Sequence, residues 1–169
     1  MTQRAARAPQ FSSLLSYLRK QRKQNPNPNR LTMTNARILI VEDEAITVSA
    51  LKRELASLGY QVAATASTAD EALNAVELHK PDLVLMDITL AGTVNGIVAA
   101  VAIRGNFHLP VVFLTAHADD GTMERAVAAG AFGYVLKPFS GPGLKAAIET
   151  ALHKYQTEIE SRRASTRAA

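Results

Sequence analysis

The 169-residue chain contains no cysteine, and it has no apolar run close to the about 20 residues that a membrane-spanning helix requires. The lack of cysteine excludes both a disulfide framework and a thiolate metal site. Acidic residues are missing from the first 32 positions. The length is sufficient for one ordinary domain with a full core and some tail left over.

The basic charge of the protein is concentrated in those first 32 residues. Seven of the 19 Lys and Arg residues lie there. The rest of the chain therefore has twelve basic and 15 acidic residues, which give it a net charge of −3. The stretch "KQRKQNPNPNR" is polar and interrupted by proline, and it cannot bury enough surface to fold by itself. We therefore expect a basic, disordered leader over residues 1–35, a folded domain over 36–155, and a C-terminal helix extension and tail over 156–169.

The leader has several interpretations. Met33 begins "MTNARILIVEDE", which resembles a natural start, so residues 1–32 are interpreted as an upstream-start artefact or an unstructured extension. A basic arm for nucleic acid or for an anionic membrane surface is an alternative. The Arg-rich, acid-free composition is also similar to that of an organelle transit peptide.

From Ala36 onward, short β-branched apolar runs alternate with helical patterns. The predicted strands are "RILIV", "QVAATA", "DLVLM", "PVVFLT" and "GYVLK", and each is followed by apolar residues at helical spacing. Gly59 stands where a helix is expected to end, and Pro81 stops the second helix. Five strands alternating with five helices predict an α/β fold with a doubly wound parallel sheet that is covered on both faces.

Four of these predicted strands have polar side chains at, or directly after, their carboxyl ends. In an open α/β sheet, ligands bind outside the carboxyl ends of the strands, so these side chains are expected to meet. They are Glu42 and Asp43 after the first strand, Asp87 after the third, Thr115 at the end of the fourth, where the small Ala116 follows it, and Lys137 at the end of the fifth.

This set of residue types fits phosphoryl transfer. Carboxylates that converge repel one another, and oxygen ligands without Cys or clustered His suit Mg²⁺. An Asp87 oxygen could attack phosphorus in line, while a metal ion and Lys137 neutralise the charge of the phosphoryl oxygens. The Thr115 hydroxyl would bind the added group.

In this order and at this spacing, the motifs resemble the response-regulator receiver domain, the phosphoacceptor module of two-component signalling, over about residues 36–155. The resemblance implies a flavodoxin-like sheet of strand order 2-1-3-4-5 with five helices. It also implies a phosphoacceptor that is not an enzyme, with at most slow self-dephosphorylation.

The resemblance further assigns a role to each residue of the site. Asp87 would be the phosphorylation site and would bind Mg²⁺ together with Asp43, with Glu42 through water, and with the backbone carbonyl of Thr89. Lys137, Thr115 and Ala116 would bind the phosphoryl group. Thr115 and Tyr134 would form the switch, Thr89 and His117 would modulate the site, and the Lys137–Pro138 bond would be cis.

Two features depart from the pattern of the family. Glu42 occupies a position where the family most often has Asp. The loop "ITLAGTVNG" after Asp87 lacks the common proline and is one residue longer before its Asn-Gly pair. The longer loop bears on the position of Thr89, whose carbonyl the resemblance assigns to the metal.

The expected partners follow from the same resemblance. A histidine kinase or a histidine phosphotransfer protein would supply phosphoryl, in the cytoplasm. A downstream protein or a second copy would bind the face formed by helix four, strand five and helix five. We expect no DNA-binding domain and no membrane span.

Two other functions stay open: a Mg²⁺-dependent phosphohydrolase, and a pseudo-receiver that binds partners without phosphorylation.

Overall fold

The computed structural model describes residues 35–117 and 119–168. The predicted leader, apart from Asn35, lies outside the described residues. Five strands alternate with five helices: β1 Arg37–Val41, α1 Ala45–Ser57, β2 Gln61–Ala66, α2 Ala69–His79, β3 Leu83–Asp87, α3 Gly96–Phe107, β4 Val111–Thr115, α4 Asp120–Ala128, β5 Gly133–Leu136 and α5 Gly141–Arg167. Within these ranges, no helix is both long and apolar enough to cross a membrane.

The five strands form one parallel sheet in the order β2-β1-β3-β4-β5. This arrangement confirms the predicted flavodoxin-like fold. The chain moves from β1 outward to β2 and then returns to the other side of β1, so the strand order reverses between β1 and β3. A ligand site is expected at this reversal, outside the carboxyl ends of the strands.

Local signals in the sequence explain where the helices begin and end. At four helices, the side chain of the residue before the first turn accepts a hydrogen bond from a backbone N–H three residues later, which satisfies a group that the helix leaves unpaired. These caps are Thr68, Asn95, Asp119 and Ser140. Gly59 follows α1 with φ +85°, a conformation that glycine adopts without strain.

Alternate residues of the central strands supply two separate cores. Leu39, Val41 and Phe113 pack on the side of α2 and α3. Ile38, Ile40 and Leu85 pack on the other side with residues of α1 and α5. Every residue of β3 and β4 is buried, as expected for strands that are covered on both faces.

Helix α5 continues without a break through residues 156–167. Glu158 ties this extension to α3, because its carboxylate lies 3.2 Å from the guanidinium of Arg104. The same guanidinium stacks 4.4 Å above the centre of the Phe132 ring. The extension is therefore anchored at its first turns, while residues 160–168 are exposed.

Candidate functional site

Three carboxylates meet at the carboxyl edge of the sheet. Glu42, Asp43 and Asp87 each offer an oxygen, and these oxygens all lie within 4.8 Å of one another. They converge because β1 and β3 are adjacent parallel strands whose ends lie at the same edge. Glu42 and Asp87 are only 3% and 5% exposed, whereas Asp43 is open to solvent.

Lys137 reaches this cluster from the edge strand. Its Nζ lies 2.6 Å from Oε2 of Glu42 and 3.0 Å from Oδ2 of Asp87. The backbone N–H of Lys137 also donates to the carbonyl oxygen of Thr115, at 2.8 Å, which fixes the start of the loop that follows β5. One ammonium group thus balances part of the charge of three carboxylates.

The three carboxylates differ in the hydrogen bonds that they already accept. Asp87 accepts a second bond at Oδ1 from the backbone N–H of Thr89, at 2.9 Å. Glu42 accepts one at Oε1 from the backbone N–H of Glu44, at 3.0 Å. Among the described residues, none donates a hydrogen bond to the Asp43 carboxylate. Asp43 therefore has the oxygens best able to take a further ligand.

Burial and hydrogen bonding shift the pKa values of Glu42 and Lys137. Burial raises the pKa of the Glu42 carboxyl above its ordinary value, and the hydrogen bond from Lys137 offsets that effect only in part. Burial alone would lower the pKa of Lys137, but its hydrogen bonds to Glu42 and Asp87 outweigh burial and raise that pKa. The ammonium is therefore held in its charged form at neutral pH.

Thr115 ends β4 beside the cluster, but its hydroxyl is engaged within its own loop. The hydroxyl donates to the carbonyl oxygen of His117 at 2.7 Å and accepts from the His117 backbone N–H at 3.2 Å. The Thr115 side chain is buried, while Ala116 and His117 are exposed. These three residues thus border the site on the β4 side.

The other predicted residues take more peripheral positions. Tyr134 lies opposite Phe113 in the register of β4 and β5, is 48% exposed, and stands outside the carboxylate cluster. Thr89 is exposed and contacts Asp87 through its backbone N–H. The Lys137–Pro138 peptide bond is cis, as expected.

Sequence reasoning missed the contribution of Gly96, the glycine of the Asn-Gly pair that ends the loop after Asp87. A Cβ on Gly96 would overlap the backbone carbonyl oxygen of Asp87. The Gly96 N–H also donates to the carbonyl oxygen of Ile88, at 3.0 Å. The Asn-Gly pair after the loop was the available signal, because glycine is required wherever two backbones approach this closely.

The fold and the site together define a receiver domain. The sequence profile of the response regulator receiver domain matches residues 38–149. The chain belongs to this family, the phosphoacceptor domains of two-component response regulators.

Two characterised response regulators are similar to this chain in sequence. The chain is 42% identical over 120 residues to the transcriptional regulatory protein PdtaR of Mycobacterium tuberculosis, which covers 71% of this chain and 58% of PdtaR. It is 38% identical over 130 residues to the transcriptional regulatory protein YvrH of Bacillus subtilis, covering 76% of this chain and 54% of YvrH. The chain thus spans little more than half the length of these curated relatives.

A solved structure with a similar fold is the signal receiver domain of a modulated diguanylate cyclase from Desulfovibrio desulfuricans. It has a TM-score of 0.69 and 35% identity, and the match covers 73% of this chain and 98% of that one. The receiver domain of a sensor histidine kinase from Pseudomonas aeruginosa has a TM-score of 0.64 and 30% identity, and the match covers 71% of this chain and 99% of that domain. That second structure is described with a magnesium ion coordinated in the active site cleft.

Proposed function

We propose that this chain is the phosphoacceptor of a two-component phosphorelay and that Asp87 takes phosphoryl from a phosphohistidine of a histidine kinase or a phosphotransfer protein. The observation that supports this best is the placement of Asp87. Its carboxylate lies at the rim of the sheet, 3.0 Å from the Lys137 ammonium and within 4.8 Å of two further carboxylates. Such a constellation matches the needs of phosphoryl transfer, which depends on positioning and charge stabilisation.

The donor set of the site suits Mg²⁺. All of its ligands are oxygens, and the exposed Asp43 carboxylate leaves the cluster accessible from solvent. Asp43 and Asp87 would hold the ion together with the backbone carbonyl of Thr89, and Glu42 would contribute through water. When bound, Mg²⁺ supplies charge neutralisation for the phosphoryl oxygens.

The transfer itself is a displacement at phosphorus. A carboxylate oxygen of Asp87 forms a bond to phosphorus while the phosphorus–nitrogen bond of the donor phosphohistidine breaks, and the bonding electron pair stays on the imidazole nitrogen. The products are an aspartyl phosphate on this chain and an unphosphorylated histidine on the donor. Lys137 stabilises the charge on a phosphoryl oxygen during the transfer.

Phosphorylation would then change the hydrogen-bond partner of the Thr115 hydroxyl. Its present bond to the His117 carbonyl oxygen would be exchanged for a bond to a phosphoryl oxygen, which is a stronger, charged acceptor. Ala116 would bind the phosphoryl group through its backbone, while Thr89 and His117, at the mouth of the site, would modulate how long it persists. Tyr134 would fill the space that Thr115 leaves.

The output surface would be the face formed by α4, β5 and α5. Val127, Tyr134 and Leu136 on this face are exposed apolar or aromatic side chains, with exposures of 71%, 48% and 45%. Exposed apolar groups of this size favour a protein contact. A downstream protein or a second copy of the chain would bind here when the switch changes the shape of the face.

Mass spectrometry after incubation with acetyl phosphate and Mg²⁺ tests the proposal. We expect one added phosphoryl group on the native chain and none on Asp87→Asn. Asp70→Asn, which neutralises an exposed carboxylate at the start of α2, serves as the matched control and should still be modified. An unmodified native chain would contradict the proposal and favour a receiver that binds partners without phosphorylation.

A further inference from the structure

We propose that residues 11–18 of this chain dock on the exposed side of α3, next to the acidic helix α2. The contact lies within one chain, so the basic leader covers an apolar surface of its own domain. This surface is separate from the output surface of α4, β5 and α5, and the inference does not depend on the proposed function.

Helix α3 is apolar on its solvent side as well as on its core side. Val98 and Val101 are 46% and 52% exposed, and Gly105 continues the same exposed stripe. Arg104 is the one charged residue of this helix, and its guanidinium pairs with Glu158. A helix that is apolar all round is normally buried on all sides, so we expect a segment to cover this stripe.

The leader contains a segment with a matching apolar face. In the stretch "FSSLLSYL", the large aliphatic and Phe side chains recur at the spacing of one helix face, at Phe11, Leu14, Leu15 and Leu18. A helix this short is marginal in water by itself and gains stability when its apolar face packs on a surface. The expectation of a disordered leader is thereby narrowed to the polar stretch "KQRKQNPNPNR", which connects the segment to the domain.

Charge complementarity favours α3 over the other exposed apolar groups. Four basic residues follow the apolar segment directly: Arg19, Lys20, Arg22 and Lys23. Helix α2 packs beside α3 on the same side of the sheet. Among the described helices, it is the only one that has acids but no Lys or Arg. Helix α5 of the output surface has more basic than acidic residues, so it attracts a basic segment less.

The length of the connection permits this contact. Residues 19–34 join the apolar segment to Asn35, just before β1. A coil of this length spans roughly 20–24 Å on average. A domain of this size has a radius of gyration of about 14 Å. The segment is thus held near α3 at an effective concentration on the order of millimolar, which offsets the weak affinity of a single helix face.

A spin label tests the docking in the full-length chain. Because the native sequence has no cysteine, Ser16→Cys provides one attachment site, on the side of the predicted helix away from the leucines. The nitroxide should remove the NMR amide signals of Val98, Val101 and Gly105, and its reduction should restore them. A mixture of ¹⁵N-labelled native chain with unlabelled, spin-labelled chain should show no such loss.

Leader variants of the spin-labelled chain test the apolar face. Leu14→Asp combined with Leu18→Asp should restore the α3 signals. Without the label, the same pair should lower the melting temperature by about 2–4 °C, because the docked segment stabilises the domain. Ser12→Asp combined with Ser13→Asp adds the same charge away from the apolar face and should change neither result.

A variant of α3 tests the surface. Val101→Lys on the spin-labelled chain should also restore the α3 signals, because it places a charge that repels the basic leader on the apolar stripe. Lys favours a helix at least as well as Val, so the fold is kept. Val127→Lys is the matched control at a valine of α4 that is 71% exposed, and it should leave the α3 signals lost.

Other outcomes would overturn the proposal. Intact α3 signals in the spin-labelled chain would show that the segment does not dock there, and loss around Val127 and Leu136 instead would place it on the output surface. Loss in the mixed sample would show docking on a second copy. If the α3 signals stay lost in the Leu14 and Leu18 variant or in Val101→Lys, an apolar contact is not the cause.

Discussion

Gly96, the first residue of α3, leaves no room for a side chain against the backbone carbonyl oxygen of Asp87. A Cβ built on Gly96 overlaps that oxygen. The Gly96 N–H also donates to the carbonyl oxygen of Ile88, at 3.0 Å, so the loop from residue 88 to residue 95 returns directly onto the end of β3. The backbone that carries Asp87 and Thr89 is therefore held in place by α3.

We predict that Gly96→Ala disturbs the site through this contact. The added methyl must push the start of α3 away from Asp87, at a cost of about 1–3 kcal/mol in the free energy of unfolding. The shift should also weaken Mg²⁺ binding by about tenfold, because the octahedral ion tolerates little change in ligand position. Urea unfolding and an NMR titration with Mg²⁺ measure the two effects.

Gly105→Ala is the matched control on the same helix. Among the described residues, nothing outside the neighbouring backbone of α3 lies within 4 Å of a Cβ built there, and alanine favours a helix over glycine by about 0.5–1 kcal/mol. This variant should be as stable as the native chain or slightly more so, with unchanged Mg²⁺ binding. Equal behaviour of the two variants would show that the close approach at Asp87 has no role in the site.

A second prediction concerns the anchor of the α5 extension. Glu158 pairs with Arg104, and their side chains are only 29% and 17% exposed. Glu158→Gln should therefore lower the free energy of unfolding by about 1 kcal/mol, at the upper end for ion pairs near a surface. Glu149→Gln, which removes an exposed pair with Lys145 at 3.8 Å, should change it by less than about 0.5 kcal/mol. Urea unfolding of both variants checks this, and the opposite ranking would contradict it.

A third prediction concerns pH. Hydrogen bonds from the backbone N–H and hydroxyl of Ser67 lower the pKa of Glu71 in the folded chain. A lowered pKa stabilises the fold above the ordinary value for Glu, and this stabilisation is lost as pH falls through the folded pKa. Because Glu71 is exposed, its contribution at neutral pH should stay below about 1 kcal/mol.

Urea unfolding of Glu71→Gln from pH 7 to pH 3 measures this contribution. The variant should be less stable than the native chain at pH 7, and the difference should shrink below pH of about 4. Glu77→Gln, on the same helix, is the control for the removal of one carboxylate from α2. A difference for Glu71→Gln that stays constant with pH would mean that its ionisation is not the cause.

The sequence predicted the sheet, and the edge at which the three carboxylates lie, for a physical reason. Buried parallel strands need near-continuous apolar runs, and the strands that carry them end at Val41, Asp87 and Thr115, so the topology alone brings Asp87, Thr115 and the Glu42 that follows Val41 to one edge of the sheet. The pairing of Glu42 with Lys137 could not be read from the sequence. The two residues are 95 positions apart, and their contact depends on side-chain length across two intervening strands.

The last prediction concerns the switch. In this structure the Thr115 hydroxyl donates to the carbonyl oxygen of His117, and the Thr115 carbonyl oxygen accepts from the Lys137 N–H. A phosphoryl oxygen is a charged and therefore stronger acceptor than a carbonyl, so the hydroxyl should exchange its partner when Asp87 carries the group. The loop at His117 would then lose one of its two bonds to Thr115 and shift with α4.

Beryllofluoride, which mimics a phosphoryl group, tests this exchange by NMR. On the native chain, amide shifts should extend from the site to Thr115, to Tyr134 and to residues 119–130. Thr115→Ala should still bind the mimic at Asp87 but lose the distant shifts, because it has no hydroxyl to exchange. Thr115→Ser keeps the hydroxyl and should retain those shifts. If Thr115→Ala shows the same distant shifts as the native chain, the signal leaves the site by another route, and the hydroxyl switch is wrong.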